Sequence, residues 1–313
     1  MKDTLETEEK DMGNENRSAE ELFREGLEYY KNEEFGGAEK YFTLAAEAGF
    51  GYAFYVLGEM YLYGQGVPVD YDKALKWYTE GAKGGSGECR ANLGYMYNYG
   101  VGVTEDLAEG LKWTRMSAEQ GNAIGENNFG ALLFHGRGIE KDDARALEWF
   151  RRSAKGGYGV SYIWMGILYS GGIVVEKDLA KAFRWYMKAA KLGISFAQSE
   201  VARMYAAGEG VGQDYKEALK WYISAASHGS YSVYNNIAYA YQYGLGVARD
   251  QKTAEEWYNR PTREGEPEAQ YKVGTMYEEG LGTAADKKEA AKWYAKAAAL
   301  GHEEAKSRLK EIG

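Results

Sequence analysis

The sequence of 313 residues is poor in the residues that several common kinds of protein depend on. Its single cysteine, Cys89, excludes an intramolecular disulfide, and its three histidines have no second histidine or cysteine at the spacing of a metal site. Only three prolines interrupt the chain, which favours helices. No apolar run could span a membrane, and the first residues lack the apolar segment of a signal peptide. We therefore expect a cytoplasmic protein without a metal centre.

Positive charge and catalytic motifs are also scarce. The chain has 38 Lys and Arg against 47 Asp and Glu, a net charge of −9. This excess disfavours nucleic acid and anionic membranes as the main partner and favours a basic partner. The many Gly-x-Gly pairs follow predicted helices rather than strands, so they indicate turns and not phosphate-binding loops. Without a visible nucleophile and base, we expect no enzymatic activity and no cofactor.

What the sequence has in abundance is internal repetition. Tryptophans recur at every 36th position over most of the chain, and a set of loop aspartates keeps the same step: Trp77, Trp113, Trp149, Trp185, Trp221, Trp257 and Trp293, with Asp70, Asp106, Asp142, Asp178, Asp214, Asp250 and Asp286. A period of this size indicates a solenoid in which each unit packs mainly on its neighbours. We expect about eight units.

Each unit predicts two helices, A and B, joined by a glycine-rich loop. Helix A carries a small residue such as Gly58, which suits a close crossing with helix B. The loop reads GxGVxxD, in which glycine ends helix A and the aspartate is a candidate N-cap of helix B. Helix B repeats apolar and small residues at helical spacing, which predicts an inward stripe: Ala74, Trp77, Tyr78, Gly81 and Ala82 in the second unit.

The two ends of the chain differ from this pattern. Residues 1–18 are acidic and contain no aromatic residue, so they predict a disordered tail. Residues 19–49 form a shorter unit that lacks four loop residues. With Gly26, Tyr29, Ala38, Phe42 and Ala45, this unit resembles a tetratricopeptide repeat. Residues 302–313 place three apolar residues at inner positions of an otherwise polar helix, which predicts a capping helix: Ala305, Leu309 and Ile312.

The combined marks LG…Y, GxGV, D, KA…WY and AA…G over residues 50–301 resemble Sel-1-like repeats, a subclass of the tetratricopeptide superfamily. Seven such repeats would follow the first unit. The resemblance implies an all-α fold, a right-handed α/α superhelical solenoid of helix-turn-helix repeats whose concave face is lined by the A helices. It also implies a scaffold or adaptor rather than a catalyst.

Two departures from the pattern lie in the fifth and seventh units. Val174 occupies a position where the other loops have glycine. Pro261 follows a helix B that we therefore expect to end early or to kink near Tyr258. These departures have two interpretations: drift that neighbouring units tolerate, or a bend that shapes a binding surface.

By analogy with tetratricopeptide repeats, the concave face carries aromatic, amide and charged side chains. Rings supply contact area and amides pair with a peptide backbone, which suits peptide recognition. A face that is merely solvated is the alternative for any one residue. The expected partner-binding residues are Tyr55, Glu59, Tyr63, Tyr95, Asn98, Tyr99, Asn127, Phe134, His135, Arg203, Asn235, Tyr239, Gln242, Tyr243 and Tyr271, with most weight on Asn127 and Asn235.

Two functions fit these observations. The first is a non-catalytic scaffold or adaptor that holds a segment of a partner protein in its concave groove, and the negative net charge favours a basic segment. The second is a dedicated inhibitor or immunity protein that neutralises a bacterial effector by tight one-to-one binding. We expect a monomer in either case.

Overall fold

The structure, a computed structural model, describes residues 17–258, 260, 267–280 and 285–312. These residues form seventeen α-helices, one 3-10 turn at Tyr231–Val233 and no strand. The helices are α1 Ala19–Lys31, α2 Phe35–Glu47, α3 Gly51–Tyr63, α4 Tyr71–Lys83, α5 Gly87–Tyr99, α6 Leu107–Glu119, α7 Ala123–His135, α8 Asp143–Lys155, α9 Gly159–Gly171, α10 Leu179–Lys191, α11 Ser195–Ala207, α12 Tyr215–Ser227, α13 Tyr234–Tyr243, α14 Gln251–Tyr258, α15 Pro267–Glu279, α16 Lys287–Ala299 and α17 Glu303–Ile312.

The chain divides into two compact units, and the boundary lies between Ser161 and Tyr162, inside α9. Within each unit, odd-numbered A helices alternate with even-numbered B helices. In the first unit α1 packs on α2, α3 on α4, α5 on α6 and α7 on α8, and in the second unit the pairs are α11 with α12, α13 with α14 and α15 with α16. Neighbouring hairpins also pack on each other. This arrangement is an all-α repeat solenoid, as the sequence predicts.

The A-helix glycines allow the paired helices to cross closely. A β-carbon added to Gly58 would lie 2.2 Å from the Tyr78 ring, and one added to Gly166 would lie 2.5 Å from the Tyr186 ring. Tyr78 is fully buried. The ring of helix B therefore fills the space that the missing side chain of helix A leaves, which confirms the reason predicted for these small residues.

The loops also follow the predicted chemistry. The first glycine of the loop ends helix A in the left-handed conformation, as at Gly64 (φ 69°). The loop aspartates cap the B helices; Asp70, for example, accepts a hydrogen bond of 3.0 Å from the Lys73 amide. The tryptophans are only half-buried, and several are covered by a cation one turn later, as Trp185 is by Lys188 at 4.0 Å.

The irregular repeats are visible in the described residues. Val174 has a φ of 63°, so a β-branched residue occupies a left-handed position. Helix α14 has eight residues against thirteen in the other B helices, and Arg260 already lies in a bend. This early end agrees with the prediction from Pro261, which itself lies outside the described residues, as does the predicted acidic tail except for Arg17 and Ser18.

The last helix, α17, packs on the final repeat. Ala305 is fully buried, and Leu309 and Ile312 pack in the same apolar cluster as Tyr294. None of the described helices combines the length and the apolar character needed to cross a bilayer.

Candidate functional site: the tyrosine-rich face of the A helices

The A helices expose aromatic side chains on one side while burying apolar residues on the other. In α5, Leu93 and Met96 are buried, whereas Tyr95 and Tyr99 are 38% and 46% exposed. We call the exposed side of the A helices the A-helix face. Its large exposed side chains are Tyr52, Tyr63, Tyr95 and Tyr99 in the first unit, and Phe196, Tyr239 and Tyr243 in the second.

Ring pairs at a spacing of four residues are a shared feature of this face. The Tyr95 and Tyr99 rings lie 5.0 Å apart in α5, and the Tyr239 and Tyr243 rings lie 4.4 Å apart in α13. Residues four apart are neighbours on one side of a helix, so each pair forms one continuous aromatic surface. The structure therefore brings these predicted residues together within their own helices.

A cavity of about 180 Å³ lies beside the Tyr95–Tyr99 pair in the first unit. Asn98 is only 2% exposed, and its Nδ2 donates to Thr114 Oγ1 at 3.2 Å. Its Oδ1 accepts no hydrogen bond among the described residues. The walls of the cavity are polar as well as aromatic: Tyr95, Asn98, Tyr99, Thr114, Asn127, Asn128, Ala131 and Leu132.

The second unit contains a larger cavity, of about 520 Å³, at the same position in the repeat. Asn236 and Tyr222 stand where the first cavity has Asn128 and Thr114. The second cavity also extends to Tyr215, Ala218, Leu219 and Leu245, whose equivalents do not line the first. Four tyrosines dominate the walls, and the lining residues are Ala206, Tyr215, Ala218, Leu219, Tyr222, Asn236, Tyr239, Ala240, Tyr243 and Leu245.

Two of the predicted amides are buried and already hydrogen-bonded within the chain. Asn127 is 5% exposed, and its Oδ1 accepts a hydrogen bond of 3.1 Å from Ser161 Oγ. Gln242 is 2% exposed and accepts from the Tyr258 hydroxyl at 2.9 Å. Buried amides that already have partners position their neighbours and are poorly placed to pair with another backbone. Asn235 is half-buried and makes contacts of its own.

Four further predicted residues make contacts within the chain. Arg203 forms ion pairs with Glu200 at 3.2 Å and Glu209 at 2.7 Å. The Tyr271 ring stacks on His302 with centroids 4.5 Å apart. Phe134 packs edge-on against His135, whose side chain is exposed. Of these residues, only Arg203 and His135 offer an exposed side chain.

Glu59 of α3 is surrounded by tyrosines. The Tyr78 hydroxyl donates to Glu59 Oε1 at 2.7 Å. Burial raises the pKa of Glu59, although hydrogen bonds from Tyr78 and Tyr55 oppose the shift. Burial and then the charge of Glu59 raise the pKa of Tyr55, and they raise that of Tyr63 to about 12.

Tyr158, which directly precedes α9, belongs to the same cluster, and sequence reasoning missed it. Burial and then the Glu59 carboxylate raise its pKa, so its hydroxyl lies within the field of Glu59. The signal in the repeat is weak: the two preceding equivalent positions hold the smaller Ser86 and Asn122, but Phe50 is also aromatic.

The described residues hold no group of three or more His, Cys, Asp or Glu side chains that could bind a metal ion. Cys89 is buried, and burial raises the pKa of its thiol to about 12. The thiol is therefore protonated at neutral pH. The chemistry that this face offers is that of aromatic rings, hydroxyls and carboxylates.

Comparison with solved structures shows two close relatives. A protective antigen of uropathogenic Escherichia coli with an SLR fold is 34% identical, with a TM-score of 0.73 over 97% of this chain and 66% of the antigen. A Sel1 repeat protein from Oxalobacter formigenes is also 34% identical, with a TM-score of 0.64 over 75% of this chain and 96% of that protein. This chain thus spans about two thirds of the antigen's length. No curated protein matches the chain significantly.

The family model for the Sel1 repeat matches eight segments, including the first unit that resembles a tetratricopeptide repeat: residues 16–50, 52–86, 87–122, 123–158, 159–194, 195–230, 232–260 and 267–302. Sel1 repeats are related to tetratricopeptide repeats, and proteins built from them typically mediate protein–protein interactions and are generally non-catalytic. With eight matched repeats and two structural relatives at 34% identity, the chain belongs to the Sel1 repeat family.

Proposed function

We propose that this chain is a non-catalytic scaffold that binds a segment of a partner protein on its A-helix face. The observation that carries the proposal is the exposure of paired tyrosine rings beside a cavity at the same repeat position in both units. Large exposed aromatic side chains are enriched at the centres of protein interfaces, where they supply much of the binding energy.

The cavities give such a segment places to anchor. The larger one, at about 520 Å³, has room for a large side chain between Tyr215, Tyr222, Tyr239 and Tyr243. The recurrence of the cavity position suits an extended or helical segment that contacts several repeats in turn. The net charge of −9 favours a basic segment, and its binding should weaken as salt is added.

The test is capture of partners from a lysate of the source organism by the wild-type chain and by two variants. The first variant replaces four exposed rings of the A-helix face: Tyr95→Ala, Tyr99→Ala, Tyr239→Ala and Tyr243→Ala. The control replaces four exposed large side chains elsewhere: Tyr71→Ala, Leu192→Ala, Ile223→Ala and Leu300→Ala. Exposed substitutions usually change stability by less than about 0.5 kcal/mol each, and circular dichroism checks that both variants fold.

We expect a stoichiometric partner that binds the wild type and the control but not the A-helix variant. A photocrosslinking amino acid at position 99 should attach to that partner, whereas one at position 71 should not. Equal retention by both variants, or equal loss, would contradict the proposal. Measuring the partner's own activity with and without the chain separates a scaffold from an inhibitor.

A further inference from the structure

Glu59 is an exception among the residues at its repeat position. The equivalent residues are Tyr95, Ala131, Ile167, Arg203, Tyr239 and Thr275, so no other full-length repeat has a carboxylate there. Glu59 is half-buried on the A-helix face of α3. A charged residue that the repeat pattern does not require needs a reason of its own.

Glu59 has no cationic partner among the described residues. Glu126 of α7, by contrast, is 5% exposed and pairs with Arg152 at 2.9 Å. The hydrogen bonds to Glu59 come from the neutral hydroxyls of Tyr78 and Tyr55. A hydroxyl satisfies one oxygen but leaves the charge uncompensated, and a partly desolvated charge without a counter-ion destabilises the fold.

The tyrosines around Glu59 offer ring faces as well as hydroxyls. The Tyr52 and Tyr55 rings lie 5.2 Å apart, and Tyr52 and Tyr63 are 46% and 56% exposed. Tyr158, which directly precedes α9, lies close enough to Glu59 for the carboxylate to raise the pKa of its hydroxyl, after the larger effect of burial. The face of an aromatic ring attracts a cation, and a nearby carboxylate adds a directed ion pair.

The same combination already holds a cation elsewhere in this chain. The Arg137 guanidinium lies 4.8 Å from the centre of the Tyr99 ring and forms an ion pair with Glu105. Around Glu59 the rings and the carboxylate are present, but the cation is missing from the described residues.

We propose that Glu59, with Tyr52, Tyr55, Tyr63 and Tyr158, forms a binding site for a lysine or arginine side chain of the partner segment. This inference rests on the proposed function, and it names the chemistry of one contact on the A-helix face. Charge complementarity favours a cationic side chain at this site. A cation supplies the counter-charge that Glu59 lacks, and it can also pack on the tyrosine rings around Glu59.

The site is tested with small probes, so that no partner has to be known. The full chain is labelled with ¹³C in its tyrosine rings and titrated with N-acetyl-arginine methylamide and N-acetyl-lysine methylamide at constant ionic strength. N-acetyl-citrulline methylamide is the neutral control, since it has nearly the shape of arginine without the charge. We expect saturable shifts of the Tyr55, Tyr63 and Tyr158 resonances with the cations, and at least tenfold weaker binding of citrulline.

Two variants make the test specific to Glu59. Glu59→Gln keeps an acceptor for the Tyr78 hydroxyl but removes the charge, and we expect it to weaken binding of the cations about tenfold. Glu80→Gln removes one charge at an exposed position of α4, and we expect no change. Because Glu59 lacks a counter-ion, Glu59→Gln should also melt at the same temperature as the wild type or higher.

Equal binding of citrulline, binding that survives in Glu59→Gln, or the absence of shifts in the three tyrosines would overturn the inference. So would a clear loss of stability in Glu59→Gln, which would show that the carboxylate serves the fold. These results are independent of the lysate experiment. If capture depends on the A-helix tyrosines while the cation probes fail, the scaffold proposal stands and the Glu59 site is wrong.

Discussion

A single methyl group decides whether an A helix can approach its B helix. We expect Gly58→Ala to destabilise the chain, because the new β-carbon would lie 2.2 Å from the buried Tyr78 ring. Overpacking of this kind costs about 1–3 kcal/mol, whereas alanine gains at most about 1 kcal/mol in helix propensity. The measurement is the free energy of unfolding in urea, where a net loss of about 1–2 kcal/mol is expected.

Gly36 of α2 provides the matched control, since a β-carbon there would meet no atom within 4 Å. Gly36→Ala should leave stability unchanged or raise it by up to about 1 kcal/mol. If both variants lose stability equally, the close crossing is not the reason for glycine in the A helices.

Val174 stores backbone strain, because its φ of 63° is a conformation that β-branched residues avoid. Relief of about 1–2 kcal/mol opposes the greater entropy loss of glycine, about 0.5–1 kcal/mol. We therefore expect Val174→Gly to raise the free energy of unfolding by up to about 1 kcal/mol. Val174→Ala keeps the strain and should not stabilise the chain; a gain from both variants would point to the side chain instead of the backbone.

For individual residues, the sequence predicts burial better than it predicts binding to a partner. The repeat period identifies Gly58 and Tyr78 because stacking imposes the same demand on every unit. Burial of Asn127 depends on Ser161, a residue 34 positions later, so no local pattern reveals it. Tyr158 was missed for a similar reason, since its neighbours in space come from a distant repeat.

At the level of secondary structure, the B helices from α4 onward share an aspartate at the N-cap. In α10 the Asp178 carboxylate accepts from the Lys181 amide at 2.8 Å, and this hydrogen bond, above all, lowers the pKa of Asp178 below its ordinary value of 3.8. Hydrogen bonds from Thr253 lower the pKa of Asp250 in the same way at the start of α14. Both carboxylates therefore favour the folded state when they are ionised.

The pH dependence follows from this direction. A depressed pKa contributes stability above pH 3.8, and the contribution is lost as the pH falls through the lower pKa of the folded state. In the double variant Asp178→Asn, Asp250→Asn, asparagine still caps the helices but does not titrate. We expect the wild type to melt a few degrees higher at about pH 6, and the difference to shrink towards about pH 3. Calorimetry at both pH values measures it, and a constant difference would contradict the assignment.

The ends of the helices are predictable from the sequence wherever a single residue type determines them. Glycine and aspartate mark the ends of helices by backbone chemistry, so the loop pattern gives the helix boundaries. The early end of α14 follows in the same way from Pro261. The 3-10 turn at Tyr231–Val233 has no such mark in the sequence, and it packs on both α12 and α13.

For the whole molecule, the main consequence of repetition is that stability is local. Each repeat of a solenoid is stabilised by its neighbours, so the last repeat depends on α17 to cover its apolar side. Ala305 is fully buried against the cluster that contains Ala290, Tyr294 and Ala297. We expect Ala305→Asp, which places an unpaired charge in this cluster, to open α16 and α17. Hydrogen exchange should accelerate in these two helices and stay unchanged in α3 to α6.

Ser307→Asp adds the same charge on the exposed side of α17 and should leave exchange unchanged throughout. The two variants together distinguish a nearest-neighbour array from a single cooperative core. Accelerated exchange in α3 to α6 of Ala305→Asp would mean that the repeats unfold as one body. Exchange confined to the terminal helices would mean that the A-helix face of the first unit keeps its structure when the other end of the chain opens, so the Glu59 site could bind its ligand independently of the last repeat.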